Sequence, residues 1–316
     1  MVGFREVDVA GDLLRHGDGR FFRGNLHCHS NRSDGVREPA EVVAAYREAG
    51  YDFIVLSDHF EAAYDWRVTD TRHLRGDDFT TIIGAELSSA GWRERAVYWV
   101  VAAGLPLDFE RPPPDDHASA IGWARELGAF VVLLHPGLNN LPLAAVDGLP
   151  HFDAIDAVEI YNHGLTTGPG IDRANGAYML DGLLERGRKL KVTAGDDSHF
   201  MTFADRFGGW VEVYATALDP AALLEGLQAG TYSTQGPRID RLVLDGHDLQ
   251  VSTSPAYCIG IGSGGDRWLD ATEHRAEAGA FITEGTFDLS PFRGSYCRVT
   301  AISADGRRAW SNPIWP

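Results

Sequence analysis

The chain has 316 residues, 44% hydrophobic and 23% charged, a balance that excludes disordered and collagen-like polymers and leaves room for one barrel-sized domain with a small appendage. Lys and Arg number 28 against 45 Asp and Glu, a formal net charge of −17. With a pI of about 5.0, extended contact with nucleic acid or anionic lipid is disfavoured, because phosphate backbones are held mainly by Lys and Arg; a small-molecule anionic substrate stays open.

Residues 1–21 read as a lead-in segment with acids where a signal peptide would need an apolar stretch. No later apolar run is long enough to span a bilayer, so a cytoplasmic protein with no membrane partner is expected. From residue 22 to 237, short apolar runs alternate with helical patterns, as in a barrel or sheet of mainly parallel strands. The strand-like runs are RGNLHCHS, YDFIVLSDH, TTIIGAEL, AVYWVVA, AFVVLLHP, DAVEIYN and KLKVTAGDDSH, followed by GWVEVYA. PAEVVAAYREAG predicts a helix begun by Pro39 and stopped by Gly50, with Val42, Val43, Tyr46 and Ala49 along one face. HASAIGWARELG predicts a second ending at Gly128, and in DPAALLEGLQAG Asp219 caps, Pro220 starts and Gly230 stops a third.

Residues 238–316 follow another grammar. IDRLVLD, DLQVSTS, AEAGAFITE and SYCRVTAIS are short strand-like runs, and Asp245-Gly246 and Asp305-Gly306 are hairpin turn signals, which together predict a small all-β, sandwich-like domain. The glycine-rich run from Gly260 to Gly265 follows no strand-to-helix pattern and reads as a loop rather than a phosphate cradle. Trp123, Trp210, Trp268 and Trp315 read as packing aromatics. Cys28, Cys258 and Cys297 are too scattered for a disulfide framework or a paired-cysteine zinc motif, and read as reduced thiols.

The ionisable residues are informative by position. His27 and His29 close the first strand, Asp58 and His59 the second, Glu86 the third, His135 the fifth, and Asp197 and His199 the seventh. In barrels of parallel strands with helical crossovers the carboxyl ends converge on one face, so these groups meet. His27 and His29 are two apart on a strand and project to one side, while Cys28 points away. Without a counter-charge the carboxylates would repel one another, whereas a divalent cation reverses that sign. Imidazole nitrogen mixed with carboxylate oxygen suits zinc, manganese or iron.

The motifs Leu26-His27-Cys28-His29-Ser30, Ser33-Asp34-Gly35, Ser57-Asp58-His59, Gly84-Ala85-Glu86, His135-Pro136 and Gly195-Asp196-Asp197-Ser198-His199 resemble those of the PHP (polymerase and histidinol phosphatase) family over residues 22 to 237. Gly230-Thr231-Tyr232 and Ala309-Trp310-Ser311-Asn312-Pro313-Ile314 look like the CehA/McbA-like metallohydrolase subgroup, in which a small β domain follows. The resemblance implies an α/β fold of the distorted (β/α)7 barrel type with two or three divalent metal ions at the strand ends. It further implies that His27, His29, Glu86 and Asp197 hold one ion, Glu86 bridges to a second that uses His135, and Asp34, His59 and His199 hold a third. Asp58 is expected to orient a histidine. Many members place another histidine on the strand after the bridging glutamate; here Tyr98 stands near that place, with Asn162, Glu159 and His117 as substitutes to consider, Glu159 read as structural and His117 as solvent-facing.

Such a site suits phosphate ester hydrolysis by a metal-bridging hydroxide, with Glu86 as the catalytic bridge and His59 or His199 protonating the leaving group. Arg32, Arg93, Arg95 and Arg206 are the candidates for clamping a phosphate, a small phosphomonoester or short phosphodiester. Two alternatives remain: a carbamate or aryl ester hydrolase using the same ions, signalled by an aromatic pocket without a convergent arginine, and a catalytically weak binding relative.

Overall fold

The computed structural model describes residues 11–90 and 97–316. The described residues open with β1 (Gly11–Asp12) and β2 (Arg20–Asn25), and the Pro39 helix is α1 (Pro39–Glu48). The next two apolar runs form β3 (Phe53–Leu56) and β4 (Thr80–Ser88), buried along their whole lengths, as strands covered on both faces must be. Then follow β5 (Trp99–Ala103), α2 (His117–Glu126), β6 (Phe130–Leu133), α3 (Leu143–Asp147), β7 (Ala157–Asn162), α4 (Ala177–Glu185) and β8 (Lys191–Gly195). Next come β9 (Trp210–Ala215), α5 (Pro220–Ala229) and β10 (Thr231–Thr234). Asp219 accepts from the amides of Ala221 and Ala222, satisfying free donors at the start of α5.

The remaining strands are β11 (Ile239–Asp245), β12 (Asp248–Ala256), β13 (Cys258–Gly262), β14 (Thr272–Arg275), β15 (Ile282–Asp288), β16 (Arg298–Ile302) and β17 (Arg308–Ser311). Two details differ from expectation. Gly260, Ile261 and Gly262 belong to β13 rather than to a loop, since Ile261 pairs into two ladders; and the AEAGAFITE strand begins only at Ile282. Trp268 is 64% exposed and is no packing residue.

Among the described residues thirteen strands form one sheet, in the order β14-β13-β16-β17-β10-β9-β2-β3-β4-β5-β6-β7-β8; a second sheet has the order β1-β11-β12-β15. The expected ring of seven parallel strands is not what the ladders make. β5 runs antiparallel to both β4 and β6; the ten residues between β4 and β5 are fewer than a parallel return ordinarily needs. β8 ends the sheet. Beyond its last residue the chain meets the segment after β2 through one isolated bridge, Cys28 to Ser198, supported by amide bonds from Asp197 to the His27 carbonyl (2.8 Å) and from His29 to the Ser198 carbonyl (2.8 Å).

Alternation sorts the core. Val101 and Ala103 join an inner cluster with Phe22, Phe53, Val55, Ile82, Val132 and Val213, whereas Tyr98, Val100 and Ala102 pack outward with Ile121 of α2 and Leu180 of α4. The C-terminal strands do more than sit alongside. Asn312 accepts from the Val192 amide (2.9 Å) and donates to the Thr231 carbonyl (3.1 Å), and the Ser233 hydroxyl donates to the Val192 carbonyl (3.1 Å), so the unpaired edge of β8 is hydrogen-bonded side-chain by side-chain.

Candidate metal centre

His27 and His29 lie just past the end of β2, and alternation sends both imidazoles inward while the Cys28 thiol turns back to the Val55 carbonyl. Glu86 reaches the same point from β4 and Asp197 from the turn after β8. His27 Nε2 lies 3.3 Å from Glu86 Oε2 and 3.1 Å from Asp197 Oδ1; His29 Nε2 lies 3.1 and 3.2 Å from the same two oxygens. Four donor atoms thus surround one point. Donors about 2.0–2.2 Å from a tetrahedral or octahedral ion stand roughly 3–3.5 Å apart, so the spacing fits a transition metal. The donor set fits as well. His29 Nε2 is buried and, although close to two carboxylate oxygens, makes no well-aligned hydrogen bond, which suits a cation between them.

A second set lies toward solvent. Asp34 Oδ2 is 3.2 Å from His199 Nε2 and 3.4 Å from His59 Nε2, and Asp34 Oδ1 is 3.6 Å from His29 Nδ1. These side chains converge closely enough to share an ion. His135 stands apart from both sets: its Nε2 faces Glu86 Oε1 at 3.4 Å.

The surrounding shell fixes these groups. Glu159 accepts from or ion-pairs with His27 Nδ1 at 3.0 Å, which leaves Nε2 for the centre, and its other oxygen accepts from the His135 amide and from Asn162 Nδ2, both at 2.9 Å. Glu159 is therefore a positioning residue for His27 rather than a bystander. Only glycine fits beside it, because a Cβ at Gly195 would fall 2.8 Å from Glu159 Oε1 and 3.0 Å from the His27 Cβ. Asn162 also donates to Asp197 Oδ2 at 3.2 Å, steadying a residue held at φ 52°. Asp58 points at no histidine. It accepts from Ser30, Ser33 and Thr69 and so anchors the loop that carries Asp34.

Electrostatics follow from this packing. Burial works against charge on His29, yet Asp197 and Glu86 beside it hold its pKa up to about 10, and His27 is raised by Asp197, Glu159 and Glu86. Conversely, burial would raise Glu86 and Asp197, but the imidazoles hold both well below the usual carboxylate range.

The centre floors a cleft of about 450 Å³ whose lining adds Glu61, Ala63, Tyr64, Trp99 and Leu138. Glu61 and Tyr64 sit at a short 3₁₀ turn that carried no sequence signal; burial raises the Glu61 pKa. Tyr98 does not face the cleft. Its hydroxyl donates to the Pro150 carbonyl at 2.8 Å on the outer side, and its neighbour Trp99 faces inward, its ring 5.5 Å from that of His135. His117 packs edge-on to Trp66 and is half-buried, neither in the cleft nor turned to solvent.

Of the arginine candidates, the two among the described residues do not join the cleft lining. Arg32 is exposed and paired with Glu38 at 3.1 Å; Arg206 is tied to Asp205 at 3.3 Å and lies over the Phe200 ring. Arg93 and Arg95 lie outside the described residues. His59 Nε2 and His199 Nε2 both face Asp34, and His199 Nδ1 lies 2.9 Å from the Asp197 carbonyl.

No family model and no curated protein matches the chain. Among solved structures, a two-domain protein from Bacteroides vulgatus, described as containing a predicted PHP-like metal-dependent phosphoesterase, matches 99% of this chain over 100% of its own length, with a TM-score of 0.54 at 15% identity. A protein from Bifidobacterium adolescentis provisionally named a metal-dependent phosphoesterase matches 56% of this chain over 87% of its own (TM-score 0.41, 16% identity). A lesion-specific endonuclease from Pyrococcus furiosus matches 66% over 56% (TM-score 0.41, 13% identity). The chain thus shares the fold of the Bacteroides vulgatus protein along its whole length.

Proposed function

We propose that the chain is a metal-dependent hydrolase of PHP type, acting as a phosphoesterase on a small phosphomonoester or short phosphodiester. The observation that carries this reading is the convergence of His27, His29, Glu86 and Asp197 on one buried point. In this reading those four residues hold one divalent ion and Asp34, His59 and His199, beside His29, hold another. Bound divalent ions supply Lewis acidity, lowering the pKa of a water at the cleft floor and offsetting the charge of a phosphoryl group.

The chain's own residues do the rest. Glu159 fixes the His27 tautomer, Asn162 steadies Asp197, and Asp58 holds the Asp34 loop through Ser30 and Ser33. Trp99, Leu138 and Tyr64 wall the cleft beside these groups.

One observation favours a second reading, hydrolysis of a carbamate or aryl ester at carbonyl carbon. Among the described residues the cleft lining carries no Lys or Arg but two aromatic rings, Tyr64 and Trp99, which suit a neutral aryl group better than a phosphate. Turnover of an aryl phosphate and of an aryl carbamate by manganese-loaded protein, before and after chelation, separates the two. Chelator-sensitive phosphate turnover is expected; carbamate turnover with none on phosphate would overturn the phosphoesterase reading.

A further inference from the structure

The two oxygens of Glu86 face unequal surroundings. Oε2 looks into the buried set of His27, His29 and Asp197, whereas Oε1 has His135 Nε2 at 3.4 Å. Among the described residues, no third His, Cys, Asp or Glu joins Glu86 and His135 in a set of donor atoms close enough to share an ion. Two protein donors fall short of the three or four that hold a transition metal firmly.

The reason is visible on β5. Alternation turns Trp99 inward and Tyr98 outward, so the residue facing His135 is an indole with no lone pair to give. Its ring meets the imidazole edge-on, at 61°, and occupies the side from which a donor on this strand would approach.

Resting on the metal-dependent reading above, we infer that this chain holds two ions rather than three, and that His135 pairs with Glu86 as a positioning residue instead of ligating an ion. In this arrangement His135 satisfies Glu86 Oε1 and keeps the carboxylate plane turned so that Oε2 serves the buried set. Trp99 excludes the further ion and leaves an apolar wall in its place.

The test is metal counting by native mass spectrometry and elemental analysis on the full chain, stripped, reloaded with excess Mn²⁺ and desalted. Wild-type protein is expected to hold two ions, and His135→Ala to hold two as well. Trp99→His, which offers a donor to the same gap, is expected to hold three. Three ions in the wild type, or one fewer in His135→Ala, overturns the inference while leaving the metal reading intact; Trp99→His remaining at two overturns the role given to Trp99. No ion in any of them overturns both. Circular dichroism establishes that each variant counted is folded, and His135→Ala keeps the inference testable if Trp99→His is not.

Discussion

The buried and the outer donor sets use the same residue types in different surroundings. His27, His29 and Glu86 are at most 2% exposed, whereas Asp34, His59 and His199 are 35%, 19% and 23% exposed. Charge in the first set, where only Asp197 is exposed beyond 2% (11%), has little water to answer it, so its carboxylates and imidazoles call for balance by a cation or by protons. The outer set opens to the cleft, where water and a substrate can exchange around Asp34. In the proposed function the first set retains an ion and the second works where the substrate arrives.

Four substitutions or conditions sharpen that contrast, beginning with the largest effect. Glu86→Gln removes the carboxylate shared by the buried set and should abolish turnover and lower retained metal, with circular dichroism unchanged; a fully active variant would take Glu86 out of the site. Asp34→Asn strikes only the outer set. It should cut kcat by about 100-fold or more while elemental analysis still finds the buried ion, and equal loss of both ions would erase the distinction.

Glu159→Gln leaves every proposed ligand in place but weakens the partner of His27 Nδ1. Metal affinity should fall about 10- to 100-fold, the usual effect of losing an orienting carboxylate, and titration with a competing chelator reads it directly. An unchanged affinity would reduce Glu159 to packing.

The last effect is pH dependence. In ion-free protein the raised His29 pKa gives stability that is complete below its unfolded value of 6.5 and lost as pH rises through about 10. The depressed Glu86 and Asp197 give stability present above their unfolded values of 4.5 and 3.8, lost as pH falls through their folded values. Ion binding needs these imidazoles deprotonated, so affinity climbs as pH rises. The gap in Tm between loaded and stripped protein should therefore widen from about pH 6 to about pH 9; a narrowing gap would mean that protons and ions do not compete for these groups.

Much of this arrangement was legible in the residues. Proline starts and glycine stops marked α1 and α5, and the spacing of His27 and His29 placed both rings on one side because strand alternation leaves no choice. The inward face of β5 was not legible. Val97 to Ala103 is apolar throughout, so no polar alternation tells Tyr98 from Trp99, and a shift of one residue reverses every side chain. Strand direction was hidden for the same reason, since β5 looks alike whether its neighbours run parallel or antiparallel. Arg32 and Arg206 carried no sign of their local partners, and the positioning role of Glu159 depends on Gly195 lying opposite, a contact between residues far apart in the chain.

The central claim, that one buried point collects His27, His29, Glu86 and Asp197 around a cation, is tested most directly by anomalous diffraction from crystals grown with Mn²⁺. The strongest anomalous peak is expected within coordination distance of His27 Nε2, His29 Nε2, Glu86 Oε2 and Asp197 Oδ1. A metal-replete crystal with no peak there, or with its strongest peak elsewhere, would contradict it.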